Sequence, residues 1–447
     1  MSANEFYDPI ETVNEPTRTF KFNQTTPMPS YLIALGAGNL ESRSIGPRSR
    51  VWCEPEVLDK AAWEFADAET FLVAAEKITG YPYIWGRYDV LLLPPSFPYG
   101  GMENPCLTFL TPSLLTGDRS LVDVLAHEIS HSWTGNLVTA ANWQHFWLNE
   151  GFTMFLERKI ISLVHGNNEA LRQFNAICGL ADLKEAIEQF GHDSPATLLV
   201  PDLTDTDPDD VFSSIPYEKG HTFLAFLEEL VGGPEVFEPF FRNYISRFAY
   251  KSITSEDFVS LFSSHFPQVQ VDWKAWLHTP GAPPQIPKYD RSLMVPCEAL
   301  VENILIKTDQ IASTDFSQLS LDQKVVFLDL LSQRLNQVKE DQSALTKIPS
   351  ILSQLETGFS LSQETNVEIC LRWYLLALRS GYTASSVPAA ALHFVTQHGR
   401  MKYNRPIYRE FYKLGGEFRQ KAIETFQKHY KFYHPIASAM IQKDLKL

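Results

Sequence analysis

The sequence predicts a mainly α-helical protein with a few β-strands near its N-terminus and two helical regions joined by a linker. Apolar residues recur at helical spacing over most of the chain that follows the first hundred residues. Residues 278 to 290 contain four prolines and one glycine, which is typical of an extended connection. Alternation of polar and apolar residues, the pattern of strands, occurs between residues 17 and 40.

The first hundred residues combine predicted strands with one predicted helix. Residues 17 to 40 predict two or three strands with a proline-containing turn. Residues 57 to 78 have helical apolar spacing and are followed by Gly80, which predicts one amphipathic helix that ends there. Residues 88 to 93 read as a short buried strand. We expect the chain from there to residue 277 to be mostly helical.

Short amphipathic helices are predicted beyond the linker. They are expected at residues 325–335, 367–378, 389–397 and 418–430. Their brief connections favour a stacked array of the HEAT or armadillo kind. Because the sequence has no fixed repeat period, an irregular helical bundle is the alternative.

Composition excludes several classes of partner. The net charge of -15 argues against nucleic acid or an anionic membrane as the main partner, although a local basic pocket is compatible with it. The N-terminus is acidic and polar, and no run of about 18 apolar residues occurs, so neither secretion nor membrane insertion is expected. The five cysteines are scattered without a CxxC pair, which predicts reduced thiols and a cytoplasmic protein.

Residues 127 to 131 read HEISH and predict a metal site. On a helix, side chains four positions apart lie one above the other, so His127 and His131 can direct both imidazoles at one ion. Glu150 follows nineteen positions after His131 and precedes a second apolar helix at residues 152–161. Catalytic zinc usually has three protein ligands and a water molecule, and Glu128 lies where a general base for that water is needed. The sequence therefore predicts one Zn²⁺ per chain and a zinc hydrolase.

The alternative is a structural ion-pair cluster, because an isolated HExxH pentapeptide occurs by chance. The flanking residues favour the metal site. Ser120 followed by Asp123 resembles a capping box, and Gly135 with Asn136 supplies a helix stop, so the motif is expected on a helix.

Four motifs resemble the gluzincin aminopeptidases, peptidase family M1. They are GGMEN at 100–104, HEISHSWTGN at 127–136, FWLNEG at 146–151 and PYEKG at 216–220, and GRMKYNRP at 399–406 and the C-terminal HPIASAMIQKDLKL extend the resemblance over nearly the whole chain. The resemblance implies a thermolysin-like zinc catalytic domain followed by an α-helical domain, with the active site in the cleft between them. It divides the chain into a remnant of an N-terminal β domain at 1–42, the catalytic domain at 43–277, the linker at 278–290 and the helical domain at 291–447.

The resemblance also implies two reactions and a role for each motif. One reaction removes N-terminal residues from short peptides, and the other opens a fatty-acid epoxide with water. Glu128 accepts the proton of the water, and Tyr217 in PYEKG donates a hydrogen bond to the developing oxyanion. Without its motif, Tyr217 would be read as a half-buried packing residue.

Substrate-binding residues are implied by two further motifs. Glu103 pairs with the free α-amino group of a peptide, in a loop with Gly100, Gly101 and Met102 that permits close backbone approach. By itself Glu103 would be read as a solvated surface residue.

At the other end of the substrate, Arg400 and Lys402 in GRMKYNRP are expected to hold a carboxylate. The alternative for this basic pair is an interaction with a helix dipole. Asp209 is implied to direct water during epoxide opening, and an ordinary turn or helix-capping aspartate is its alternative.

Two departures from the family pattern leave functional alternatives open. Phe212 stands where the family carries a tyrosine near the fatty-acid pocket, and family members carry a β-rich domain before the point where this chain begins. The alternatives to the bifunctional enzyme are an aminopeptidase B-like enzyme without epoxide hydrolysis and a catalytically weak, truncated isoform that acts as an interaction module. The chain is expected to be a monomer.

Overall fold

The structure is a computed structural model, and it describes residues 1–5, 20–306, 313–337, 346–383 and 386–447. The β-strands are β1 Asn4–Glu5, β2 Phe22–Asn23, β3 Glu41–Ser44, β4 Arg50–Cys53, β5 Asp89–Leu92, β6 Gly101–Met102, β7 Leu107–Leu110, β8 Val138–Ala140 and β9 Lys251–Ile253. The α-helices are α1 Leu58–Glu64, α2 Ala68–Thr79, α3 Asp123–Ser130, α4 Trp147–Val164, α5 Glu169–Phe190, α6 Gly220–Leu230, α7 Pro234–Phe248, α8 Ser255–His265, α9 Trp273–Leu277, α10 Val295–Ile306, α11 Ser313–Ser317, α12 Leu321–Gln337, α13 Ile348–Gly358, α14 Val367–Arg379, α15 Val387–Gln397, α16 Met401–Leu414, α17 Gly416–His429 and α18 Pro435–Leu445. The mainly helical fold class is therefore confirmed.

The chain forms two compact units. The first unit contains residues 1–92, 101–109 and 122–290, and the second contains residues 93–100, 110–121 and 291–447. Both units thus include residues that precede the HEISH motif in the sequence and residues that follow it. The domain limits inferred from the sequence stay a prediction.

The first unit has a five-stranded sheet and a helical layer that carries the metal motif. The sheet has the strand order β3-β4-β5-β7-β6, in which β3 and β4 are antiparallel and β4 and β5 are parallel. All four residues of β5 are buried, as the predicted buried strand requires. Helix α4 packs against α2, α3 and α6. The second metal-binding segment is therefore held inside the helical layer.

Aromatic rings fix α4 in that layer. The Phe152 ring stacks on Tyr244 of α7, with centroids 4.4 Å apart, and the Trp147 ring lies 5.6 Å from Phe223 of α6. Phe152, Trp147 and Phe223 have no exposed surface. Burial of such large rings stabilises helix packing strongly, so these contacts hold α4 in place.

The helix predicted at residues 57–78 is wrong in its continuity, because the chain forms α1 and α2 instead. Asp67, a residue type with low helix-interior propensity, immediately precedes α2. Gly80 ends α2 with φ of 64°, as expected of a left-handed C-terminal cap.

The strands predicted within residues 17–40 are largely wrong in the part that the structure describes. From residue 20 onward this segment contains only β2 and a 3₁₀ turn, Ser30–Leu32. Pro27 and Pro29 lack backbone N–H donors, which prevents a continuous ladder. Residues 17–19 lie outside the described residues.

The capping box expected at Ser120 is also wrong. Helix α3 begins at Asp123 after Val122, without a side-chain cap. The Ser120 hydroxyl instead donates to Thr116 Oγ1 at 3.4 Å, and the Ser120 N–H donates to Asp118 Oδ1 at 3.0 Å. The Ser120 groups that were predicted to cap the helix thus form hydrogen bonds within a local turn instead.

The proline-rich segment at 278–290 is attached to the first unit by a buried lysine. The Lys219 ammonium, which has no exposed surface, donates to the carbonyl oxygens of Thr197, Thr279 and Gly281 at 2.9, 3.0 and 3.0 Å. All three of its protons are thus satisfied. Lys219 belongs to PYEKG, so this motif also anchors the beginning of the proline-rich segment.

The second unit consists of packed helices. Helices α12, α14, α15 and α17 occupy the positions predicted for amphipathic helices. Contacts join α10 to α12, α12 to α14, α14 to α16, and α16 to α18. None of the helices in the described parts of the chain combines the length and apolar character that a membrane span requires.

Candidate active site

The two halves of the metal motif meet where α3 packs against α4. His127 lies in the last turn of α3, His131 directly follows it, and Glu150 lies in the first turn of α4. The two Nε2 atoms are 3.2 Å apart, and Glu150 Oε2 lies 3.5 Å from His127 Nε2 and 3.3 Å from His131 Nε2. The three side chains that the sequence selected are therefore brought together.

These distances fit a zinc ion. Tetrahedral zinc with ligand bonds of about 2.0–2.2 Å needs ligand atoms roughly 3.3–3.5 Å apart. Burial raises the pKa of Glu150, but the neighbouring imidazoles of His131 and His127 outweigh it and lower that pKa overall. The carboxyl is therefore ionised, as a metal ligand must be.

A second set of contacts orients the imidazoles. His127 Nδ1 lies 2.8 Å from Glu157 Oε2, and His131 Nδ1 lies 2.9 Å from the Thr134 carbonyl oxygen and 3.1 Å from Thr153 Oγ1. Acceptors at Nδ1 keep a proton there and leave each Nε2 lone pair for the metal. Sequence reasoning missed Glu157, although it follows Glu150 by seven residues and hence shares its helix face.

Glu128 lies beside the triad in a position that only a glycine neighbour allows. Its side chain is buried, and a Cβ at Gly101 would overlap its carboxylate. Glu128 Oε2 has no hydrogen-bond partner among the described residues, which suits an oxygen that must accept a proton from water. Burial raises the pKa of Glu128, against the opposing charges of His127 and His131.

Glu103 lies close to the same centre. It is buried, and its carboxylate comes within 4.8 Å of ligand atoms of Glu128 and His131. Asn136 Nδ2 donates to the Glu103 carbonyl oxygen at 2.7 Å, which ties the GGMEN loop to the end of the metal motif. Burial raises the pKa of the Glu103 carboxyl, so a cationic partner would be strongly favoured there.

Tyr31 is a further neighbour that sequence reasoning missed. Asn149 Nδ2 donates to its hydroxyl oxygen at 3.3 Å. Burial raises the pKa of Tyr31, and the charges of Glu103 and Glu150 raise it further. Nothing in the irregular segment around Tyr31 could have indicated this.

Tyr217 lies beside the metal ligands because two glycines let the segment that carries it approach α4 closely. It lies in a π-helical turn, Ile215–Lys219, that leads into α6. A Cβ at Gly151 would lie only 2.8 Å from Gly220 Cα, so α4 and α6 approach closely directly after Glu150. The Tyr217 ring is stacked 6.1 Å from the His127 ring. Burial raises the pKa of Tyr217, so the phenol keeps its proton and remains a donor.

The remaining predicted residues of the first unit are less enclosed. Met102 is half-buried on the short strand β6 beside Gly101. Asp209 is exposed in a 3₁₀ turn, where its N–H donates to Asp207 Oδ1 at 3.0 Å. Phe212 is 48% exposed, with its ring edge-on to Tyr217 at 6.1 Å. Among the described contacts, none joins Asp209 to the metal triad.

Arg400 and Lys402 belong to the second unit, as does Gly100. Lys402 Nζ donates to Glu368 Oε1 at 2.8 Å, and Arg400 Nη1 donates to the Tyr403 hydroxyl oxygen at 3.0 Å. A Cβ at Gly100 would lie 2.5 Å from Arg400 Nη2, so this glycine makes room for the guanidinium. The basic pair is therefore organised by Tyr403 of the same motif and by Glu368, which lies outside it.

Comparison with protein-family models gives two matches. The model described as the peptidase family M1 domain matches residues 63–276, and the model described as leukotriene A4 hydrolase, C-terminal, matches residues 319–445. The first match contains the metal triad, Glu128, Glu103 and Tyr217. The second contains Arg400 and Lys402.

Individual proteins match over nearly the whole chain. Leukotriene A-4 hydrolase of Xenopus laevis is 44% identical over 453 residues, which covers 100% of this chain and 72% of that protein. Leucine aminopeptidase 2 of Aspergillus terreus is 43% identical over 435 residues, which covers 95% of this chain and 68% of that protein. The solved structure of yeast LTA4 hydrolase in complex with bestatin has a TM-score of 0.90 at 36% identity and covers 100% of this chain and 72% of its own. With the triad and the base beside it, these matches show that the chain belongs to peptidase family M1 and is a zinc metallopeptidase.

Proposed function

We propose that this chain removes N-terminal residues from short peptides and also hydrolyses a fatty-acid epoxide of the leukotriene A-4 type. The observation that carries the proposal is the triangle of His127, His131 and Glu150, with Glu128 beside it. Relatives named for each of the two activities are 43–44% identical to the chain. An aminopeptidase B-like enzyme without epoxide hydrolysis is the narrower alternative.

In peptide hydrolysis, each side chain has a separate task. Bound zinc supplies a Lewis acid that acidifies water and polarises the scissile carbonyl. Glu128 takes the proton of the water and passes it to the leaving amine. Tyr217 donates its phenolic proton in a hydrogen bond to the oxygen that becomes negative. The raised pKa of Tyr217 supports this role, because only the neutral phenol can donate.

Glu103 limits cleavage to the first residue of a peptide. Its buried carboxylate pairs with the free α-amino group, and burial makes such a pair stronger than it would be in water. A peptide whose amino group is blocked therefore loses the interaction that positions its first bond.

The carboxylate end of the substrate is held by Arg400 and Lys402. The same pair suits the carboxylate of a fatty acid, so one anchor serves both reactions. For epoxide opening, Asp209 directs the attacking water, and its exposed position in a turn is compatible with reaching a bound substrate.

Cellular placement and assembly are further parts of the proposal. All five cysteines are free thiols, and four of them are buried, which supports a reducing, cytoplasmic environment. We also propose a monomer divided into the β remnant, catalytic domain, linker and helical domain defined from the sequence.

The test is hydrolysis of alanyl and arginyl p-nitroanilide by the purified chain, with zinc measured by elemental analysis. We expect about one zinc per chain, loss of turnover on chelation and recovery when zinc is added back. Acetylated substrates should be cleaved far more slowly than those with a free amino group. Conversion of the leukotriene epoxide is assayed on the same material.

Each result has a defined meaning. Folded, zinc-loaded protein without turnover on any substrate would favour the interaction module over the enzyme. Peptide turnover without epoxide conversion would favour the aminopeptidase B-like alternative. Equal cleavage of acetylated and free peptides would contradict the role of Glu103.

A further inference from the structure

Arg400 and Lys402 are both connected to one buried carboxylate in the second unit. Glu368, on α14, is 7% exposed, and its Oε1 accepts hydrogen bonds from Lys402 Nζ and from the Tyr403 hydroxyl, each at 2.8 Å. Its Oε2 pairs with Arg372 one helical turn later. Helix α16, which begins at Met401, is thereby attached to α14 at its first turn.

The Tyr403 hydroxyl links that carboxylate to Arg400. It donates to Glu368 and accepts from Arg400 Nη1 at 3.0 Å. The Arg400 guanidinium also lies 5.2 Å from the centroid of the Tyr403 ring. The hydroxyl and the ring of Tyr403 therefore both contact the guanidinium, and the lack of a side chain at Gly100 leaves room for it.

We propose that Tyr403, held by Glu368, is a positioning residue that fixes Arg400 and thereby makes the chain selective for substrates with a free carboxylate. This inference rests on the proposed function, in which Arg400 and Lys402 bind that carboxylate. It names two residues outside the binding pair, of which Glu368 lies 32 residues before Arg400 in the chain.

The physical reason is the freedom of a long side chain. Arginine has many rotamers, and a planar fork recognises a carboxylate only when it is presented in one orientation. Anchoring one Nη through Tyr403 removes most of this freedom before the substrate arrives, which strengthens binding without a new contact. The charges of Lys402, Arg372 and Arg400 outweigh burial and lower the pKa of Glu368, so the anchor stays ionised.

The aromatic ring of Tyr403 has a separate, structural role. It has no exposed surface, and its centroid lies 5.9 Å from the centroid of the Phe394 ring and 6.1 Å from that of the His398 ring. Phenylalanine would retain these contacts and lose only the hydroxyl. The Tyr403→Phe variant therefore separates positioning from packing.

The chain provides a matched control on the same helix. Tyr408 also has no exposed surface, and its hydroxyl lies 3.0 Å from the Tyr433 hydroxyl. Tyr408→Phe removes a buried hydroxyl without touching the cations.

Zinc-loaded full chains are compared on a tripeptide with a free C-terminus and on its C-terminal amide. For Tyr403→Phe we expect KM for the free acid to rise about five-fold, the cost of one lost hydrogen bond, with kcat and the amide KM within about two-fold of the wild type. Tyr408→Phe should leave the acid-to-amide preference unchanged. In an Arg400→Ala background, Tyr403→Phe should add nothing, because the hydroxyl then has no guanidinium to hold.

The outcomes separate this inference from the proposed function. If Arg400→Ala abolishes the acid preference and Tyr403→Phe does not change it, the positioning role is wrong and the binding pair stands. If Arg400→Ala leaves the preference intact, both are wrong. Equal losses on acid and amide would show that Tyr403 is merely structural. Should Tyr403→Phe fail to fold, Glu368→Asp, which keeps the charge but withdraws the acceptor, must show the same selective rise in KM.

Discussion

The metal triad is built differently from the cation cluster of the second unit, which consists of Arg400 and Lys402 with their partners Tyr403 and Glu368. The triad joins side chains within 24 residues of sequence, on two helices in direct contact, and His131 and Glu150 are 1% and 4% exposed. In the cation cluster, the Lys402 side chain is 44% exposed and its anchor comes from a preceding helix. Motif spacing therefore specifies the geometry of the triad, whereas the position of the basic pair also depends on Glu368, a partner outside its motif.

A buried glutamate has opposite properties in the two regions. Burial raises the pKa of Glu128 overall, because the two imidazoles do not compensate for it. Burial also opposes ionisation of Glu368, but three nearby cations outweigh it and lower its pKa. Burial therefore dominates the pKa of Glu128, whereas neighbouring cations dominate the pKa of Glu368.

The largest expected effect follows from removing the Glu128 carboxyl. Glu128→Gln should lower peptide turnover about 10²- to 10⁴-fold, because water loses its general base. Zinc content should remain near one per chain, since Glu128 is not in the triad. His131→Ala is the contrasting variant, and it should lose zinc and activity together. Wild-type turnover in Glu128→Gln, measured on alanyl p-nitroanilide, would contradict the assignment.

Tyr217→Phe should have the next largest effect. Loss of one donor to the oxyanion lowers kcat by about 10²- to 10³-fold at unchanged zinc content. Tyr244→Phe is the control, because Tyr244 is a buried phenol of the first unit whose ring packs on Phe152. Comparable kcat losses in both variants would mean that Tyr217 acts through packing alone.

A smaller effect is expected in the shell around the triad. Glu157→Gln weakens the acceptor for His127 Nδ1, so zinc affinity should fall about 10- to 100-fold. The measurement is competition with a chelator of known affinity. Glu188→Gln, an exposed change on α5, should leave zinc affinity unaltered. An unaltered affinity in Glu157→Gln as well would show that this hydrogen bond does not support the metal.

The metal site could be predicted because its information is local. Helical spacing places His127 and His131 on one face, and the second motif supplies Glu150 at a helix start. Glu157 was within reach of the same reasoning, two turns along α4. Tyr31 and Glu368 were not, because their positions depend on tertiary contacts that leave no periodic pattern.

The fold shows the same limit. The amphipathic helices of the second unit were predictable from their apolar faces, and α12 and α14 occur where expected. The breaks between elements were not predictable. The turn between α1 and α2 and the turn at Ser120 depend on local polar and steric interactions. Residues 20–40 were predicted as strands because they contain β-branched and aromatic residues, but prolines interrupt the segment.

The smallest expected effect concerns Phe212, which stands where the family resemblance places a tyrosine. Its ring is about half exposed and edge-on to Tyr217. In Phe212→Tyr the added hydroxyl can remain solvated, so peptide turnover should stay within about two-fold and only the fate of the epoxide should change. Product ratio and loss of activity during epoxide turnover are the measurements, with peptide turnover as the internal control. A large fall in peptide turnover would mean that the hydroxyl disturbs Tyr217, and residue 212 would then belong to both reactions.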